Sequence, residues 1–302
     1  MKDELIFEMD LKNLFFIFLI FITLFSFFKK KKFLIDNVSY SSHKIIGAEN
    51  KSPVVMGGLY ILTVYLFFFY NHSLILIASM ICITLLGLMS DKNILTNPNK
   101  RLIFQFLILL LLSYFEDLRI EDVKFDMFNL FLSNEYFNLF FTVFCLAILI
   151  NGSNFLDGLN GLLTGYYLII LISIIILSNF YTNIDLIDYD FVTTLILILF
   201  IFFIFNIFGM VYLGDSGTYL ISLLIGVYLI KFNYNNNFLS PYYVAVLLWY
   251  PAFENFFSLF RRILKKKKTS SPDNLHLHQI IFLFLQNKKI FKKKILNPFC
   301  SF

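Results

Sequence analysis

Charged residues are scarce in this 302-residue chain, at 15% of the sequence, against 59% hydrophobic and 20% aromatic residues. A soluble globular chain averages about 25% charged and about 45–50% apolar residues, so a soluble domain is excluded. Cysteine is scarcer still. Cys82, Cys145 and Cys300 are odd in number and scattered, which rules out a disulfide framework or a cysteine-rich metal site. No internal repeat, heptad or nucleic-acid motif is present. The opening MKDELIFEMD carries four acids, where a secretory signal needs a basic leader. The first apolar segment therefore reads as a span.

What the chain does have is a series of apolar runs of about 17–20 residues, the length that crosses a bilayer as a helix. The expectation is an all-α polytopic membrane protein of about nine transmembrane helices, at residues 11–28, 54–70, 73–90, 101–118, 136–151, 161–178, 191–208, 218–231 and 241–260. The lysine run at 29–32 orients them by the positive-inside rule: N-terminus outside, next loop cytoplasmic. Alternating from there puts 20 of the 25 Lys and Arg inside, leaving Lys2, Lys12, Arg119, Lys124 and Lys231. The basic runs read as topology determinants and anionic-lipid contacts, so no nucleic acid is expected. After His278 the apolar stretch is too short to span, and the closing ILNPFCSF reads as the entry to a further helix. A C-terminally truncated single domain over 1–302 is one expectation that follows.

Acidic residues locate the chemistry. Thirteen of 20 fall outside, and the inner set is Asp36, Glu49, Asp91, Asp157, Asp215, Glu254 and Asp273. The richest inner stretch is NGSNFLDGLNGLLTG at 151–165, with Asn151, Asn154, Asp157 and Asn160 at three-residue steps between two apolar runs. Such steps drift around a 3.6-residue helix and cannot share one straight face. An ionised Asp on lipid costs about 2.5–3.5 kcal/mol even on the lenient insertion scale. Gly158 and Gly161 are therefore expected to break the helix, with the polar groups lining a cavity.

Four more inner loops join it. KSPVVMGG at 51–58 offers Lys51 at a helix entrance, where a lysine holds phosphate as a point charge or merely snorkels. GLMSDKN at 87–93 carries Asp91, and NIFGMVYLGDSGTYL at 206–220 carries Asn206 and Asp215. RRILKKKKTSSPDNLHLHQ at 261–279 carries Asp273, His276 and His278. Carboxylate and amide oxygens suit a hard cation such as Mg²⁺, with Mn²⁺ as a substitute. Lys, Arg and His supply donors for phosphate oxygens. Phosphoryl transfer fits, because it needs positioning and charge neutralisation more than covalent chemistry. Two His without a third soft ligand argue against zinc.

In order, these loops resemble the polyprenyl-phosphate N-acetylhexosamine-1-phosphate transferases, the MraY/WecA-like membrane glycosyltransferases. NGSNFLDGLNGL is similar to that family's N-x-x-N-x-x-D-G-x-D/N-G-L signature, GLMSDKN to its G-x-x-D-D-x loop, LGDSGTYL to its G-D-x-G-S loop and DNLHLHQ to its D-x-x-H-x-H-H loop. The resemblance covers about residues 30–280, and the short H-x-H form looks more like the WecA-type branch. It implies attack of undecaprenyl (polyprenyl) phosphate on the β-phosphate of a UDP-N-acetylhexosamine, releasing UMP, to start a lipid-linked O-antigen, surface polysaccharide or cell-wall glycan. It also implies a multi-pass protein of the bacterial inner membrane with a cytoplasmic site, and a homodimer is compatible with it. By position, Asp215 would ligand Mg²⁺ with Asn154. Asp91 would stand nearest the lipid phosphate, and Asp157 and Asn206 would hold the nucleotide. Lys51 would meet the diphosphate, and Asp273, His276 and His278 the diphosphate or sugar. Three positions depart from the pattern: Ser90 replaces one of two paired acids, Asn160 an Asp, and Gln279 the last His. The competing expectations are a transporter with a coupling-ion site at Asp157, and an inactive or truncated paralogue.

Overall fold

The computed structural model describes residues 2–35, 53–181, 189–236, 238–266 and 276–288, with side chains from residue 11. Its helices, in order, are α1 (Lys2–Lys31), α2 (Gly57–Phe68), α3 (Leu74–Asp91), α4 (Pro98–Phe115), α5 (Asp126–Leu132) and α6 (Glu135–Leu156). They continue with α7 (Leu162–Phe180), α8 (Tyr189–Ile207), α9 (Gly214–Asn235), α10 (Pro241–Leu247), α11 (Trp249–Leu264) and α12 (Leu277–Asn287). Among the described residues six helices, α1 from Leu11, α3, α6, α7, α8 and α9, are long and apolar enough to cross a membrane, and the bent pair α10–α11 makes a seventh if it is one span. The other two predicted spans fall short. The one at 54–70 is the 12-residue α2, about 18 Å long against a hydrocarbon core of about 30 Å. The one at 101–118 is α4, whose first turn, Pro-Asn-Lys-Arg, shortens its apolar part.

The chain is helical as expected, with one short ladder besides. Val54–Val55 and Val211–Tyr212 form a two-stranded parallel ladder, β1 and β2. It pins the chain entering α2 against the chain entering α9, so the two helices start side by side.

At the centre of the bundle stands α9. It packs against α2, α3 and α6, and 83% of its apolar window is buried. That position explains its mean hydropathy of 1.3, the lowest of the six spans. Ser216, Thr218 and Ser222 are fully buried on it, where they meet protein and avoid lipid. Small residues bring the backbones close, as membrane helices require without a hydrophobic drive between them. A Cβ on Gly87 of α3 would overlap the Ser216 backbone, so glycine there sets how near α3 comes to the start of α9.

The ninth predicted span is two helices, α10 and α11, meeting at 66°. Pro251 has no N–H to give the Leu247 carbonyl four residues back. That carbonyl takes the Tyr166 hydroxyl of α7 instead, which keeps a broken backbone satisfied at membrane depth.

Candidate active site

A cavity of about 790 Å³ lies where the start of α4, the end of α6, the start of α9, the second half of α11 and the start of α12 converge. Its polar lining includes Arg101, Asn154, Asp157, Asp215, Arg262 and His276. The predicted helix break is there. α6 ends at Leu156, Asp157 is its C-cap, and α7 restarts after Gly161. Gly161 has φ of 86°, a left-handed backbone that glycine adopts without steric penalty. The break carries Asn154 and Asp157 into the cavity wall beside Asn151, whose Nδ2 donates to Gln105 Oε1 of α4 at 2.9 Å.

Asp215 presents its Oδ2 to three donors: Arg101 at 2.7 Å, the Ser90 hydroxyl, and Tyr219 at 3.4 Å. Asp91 reaches the start of α9. Its Oδ1 accepts the Asp215 N–H at 2.8 Å, and its Oδ2 accepts the Ser216 N–H at 3.2 Å and the Ser216 hydroxyl at 2.8 Å. α9 has no side-chain cap of its own, so a carboxylate from α3 caps it, satisfying orphan N–H groups at the positive end of the helix. Asp91 does not line the cavity; its oxygens hold the start of α9 through the Asp215 and Ser216 N–H groups and the Ser216 hydroxyl. Asn206 is likewise a brace. It is 3% exposed, its Oδ1 accepts the Gly161 N–H at 2.7 Å, and its Nδ2 donates to the Val211 carbonyl at 2.7 Å. It ties the break to β2 and does not line the cavity.

The two histidines separate. His276 lines the cavity, and its Nδ1 meets Glu254 Oε2 at 2.8 Å. His278 is buried beneath Gly158 with neither ring nitrogen partnered. Burial, reinforced by the neighbouring His276 and partly offset by Glu254, brings its imidazole down to about 4. Lys51 and Asp273 lie outside the described residues.

Three residues of this centre were not singled out from sequence. Arg101 and Arg262 read there only as inner-face charge, and Glu254 as one more inner acid. The signal that could have found them is spacing: Arg101 lies one turn inside α4, and Glu254 and Arg262, eight residues apart, share a face of α11.

A second cavity, of about 730 Å³, runs between α6, α9, α10 and α11. Its walls there are mainly apolar, and its far end meets residues 119–124. It shares Phe144, Ile148 and Phe256 with the polar cavity, so the two lie side by side.

A family model described as glycosyl transferase family 4 matches residues 73–233. The chain is 26% identical over 208 residues to a probable undecaprenyl-phosphate N-acetylglucosaminyl 1-phosphate transferase of Bacillus subtilis (strain 168), covering 67% of this chain and 56% of that protein. It is also 26% identical over 213 residues to the phospho-N-acetylmuramoyl-pentapeptide-transferase of Dictyoglomus thermophilum, covering 68% of this chain and 67% of that protein. The chain thus spans little more than half the length of the Bacillus relative.

Proposed function

The chain belongs to glycosyl transferase family 4, and we propose that it is a polyprenyl-phosphate sugar-1-phosphate transferase of the MraY/WecA type, like the relatives it resembles. It transfers an N-acetylhexosamine 1-phosphate from a UDP-sugar to undecaprenyl phosphate, as the first membrane step of a lipid-linked glycan. A phosphate oxygen of the lipid attacks the β-phosphorus of the UDP-sugar. A new P–O–P bond forms, the bond to the bridging oxygen of the old diphosphate breaks, and UMP leaves.

The observation that carries this reading is that the two cavities lie side by side, with Phe144, Ile148 and Phe256 in the wall of both. A polar chamber with two arginines and a histidine suits a sugar diphosphate, and the apolar groove beside it suits a polyprenyl tail. The acceptor phosphate would then enter at the seam. Arg101, Arg262 and His276 supply N–H donors to phosphate oxygens, and Asp157 would face the nucleotide. Excluding water matters here, since water attacking the same phosphorus would waste the donor. The orientation we propose has this cavity on the cytoplasmic side of the bacterial inner membrane, where UDP-sugars are made.

The donor set suits Mg²⁺ or Mn²⁺. Among the described residues no three of His, Cys, Asp and Glu gather around one point. A hard cation that keeps one or two carboxylates and draws its other ligands from substrate phosphates needs no such group. Asp215 would hold it through Oδ1, which the bonds to Arg101, Ser90 and Tyr219 leave unused, and Asn154 would assist. When bound, the ion neutralises charge on the diphosphate. The single oxygen that Arg101 already claims leads us to expect weaker metal binding than a paired acid at position 90 would give.

The test is purified protein with undecaprenyl phosphate, Mg²⁺ and a panel of UDP-N-acetylhexosamines. UMP and a lipid-diphosphate sugar should form in equal amounts with at least one of them. Absence of UMP across the whole panel rejects the reaction.

A further inference from the structure

Glu254 is 1% exposed, and a buried carboxylate is expensive unless both oxygens are used. Here both are. Oε1 accepts the Leu277 N–H at 2.8 Å, and Oε2 lies 2.8 Å from Nδ1 of His276. Because a backbone N–H is a fixed donor, the first bond orients the carboxylate for the second. An ionised carboxylate only accepts, so Nδ1 carries a proton, and a ring that also carries one on Nε2 presents that N–H to the cavity as the donor for a phosphate oxygen. The ring has no freedom to turn away: Phe155 stacks on it at 4.7 Å, and the His278 ring lies parallel to it at 5.8 Å. The carboxylate is itself held rigidly. Pro251 packs against Gly152 with no room for a Cβ, and Asn255 Nδ2 donates to the Ile148 carbonyl at 3.1 Å. Both contacts lock α11 to α6.

We propose that Glu254 is a positioning residue for the phosphate subsite of this cavity, fixing the His276 ring so that its Nε2 addresses the bound diphosphate. The bland alternative is a buried tie between α11 and α12. A tie alone does not need its histidine in the wall of a cavity beside Arg262, and it leaves ligand affinity unmoved. The proposal rests on the reading above, in which that cavity takes a sugar diphosphate.

The variants are Glu254→Gln, His276→Ala and their combination, in the full chain purified in detergent. In Glu254→Gln the amide oxygen still accepts the Leu277 N–H, so the amide NH₂ faces Nδ1. That NH₂ can only donate, so Nδ1 must accept; the ring is held as the neutral Nε2–H form, and the charge it turned toward the diphosphate is lost with little change of shape. Two quantities are read: the affinity for inorganic diphosphate with Mg²⁺, and KM and kcat for the UDP-sugar. We expect Glu254→Gln and His276→Ala each to weaken diphosphate by about 10-fold or more, the range typical when an outer hydrogen-bond partner of a ligand is lost. KM for the UDP-sugar should rise in parallel, and the double variant should be no worse than His276→Ala, since the two act as one unit. The proposal is overturned by strictly additive effects. It is overturned equally by a Glu254→Gln protein that binds diphosphate like the parent and loses only thermal stability, or by a parent that does not bind diphosphate. A matched loss of diphosphate affinity without UMP release from any UDP-sugar would uphold the positioning role and reject the reaction. UMP release with unaltered KM in Glu254→Gln would do the reverse.

Discussion

Asp215 is the carboxylate on which the site's charge balance turns, because Arg101, Ser90 and Tyr219 all address one of its oxygens. Asp215→Asn keeps the shape and removes the charge. UMP release should fall by at least about 100-fold, the order seen when a preorganised electrostatic group is lost. Ser90 relays between Arg101 and Asp215, so Ser90→Ala should be milder, about 3- to 10-fold, or roughly 1 kcal/mol for one hydrogen bond. Steady-state UMP assays on both variants check the order; equal losses would mean the relay matters as much as the charge. His278 carries a pH signature. Burial holds its folded-state value near 4, below the unfolded value of about 6.5. The unfolded chain therefore binds the extra proton between those values. Stability is complete above about pH 6.5 and falls as pH drops toward 4, by up to about 3 kcal/mol. The thermal midpoint in detergent should drop over that interval in the parent and stay flatter in His278→Leu.

At the scale of the element, the decisive features are where helices stop. Gly161 restarts the chain with φ of 86°. Gly161→Ala should cost about 1–2 kcal/mol for the left-handed backbone alone, and the shifted break should displace Asp157. A fall in both thermal midpoint and UMP release is expected, and an unchanged midpoint would show the turn to be adaptable. The α10–α11 bend depends on two residues far apart in sequence. Pro251 withholds an N–H from the Leu247 carbonyl, and the Tyr166 hydroxyl supplies a substitute. Tyr166→Phe leaves that carbonyl unsatisfied and should destabilise the fold by about 1–3 kcal/mol, read as a lowered thermal midpoint in detergent.

For the whole molecule, the adjoining cavities make a prediction about the acceptor. Ala252 lines the apolar groove and does not line the polar chamber. Ala252→Phe should raise KM for undecaprenyl phosphate several-fold while leaving KM for the UDP-sugar within about two-fold, a loss of uniform binding to one substrate. A short-chain prenyl phosphate should feel the substitution less. Equal rises in both KM values would place the lipid elsewhere.

The apolar runs and the polar stretch at 151–165 were legible because a bilayer imposes length and polarity residue by residue. A helix break at Gly158–Gly161, with Asn154 and Asp157 carried to a cavity, needed no neighbour to be foreseen. The family resemblance rested on local motifs in the same way. What the sequence could not determine is which atoms are already engaged. Asp91 reads as a reactive acid, yet α3 brings it under the uncapped start of α9. Asn206 reads as a nucleotide contact, yet β2 and the Gly161 turn use both ends of its amide. Glu254 and Arg101 read as ordinary loop and helix charges, yet each ends within 3 Å of a residue more than 20 positions away. Polarity, length and breaks are properties of a segment and lie open in the chain. The partner of a carboxylate is a property of the packing, and the helices that surround α9 decided it.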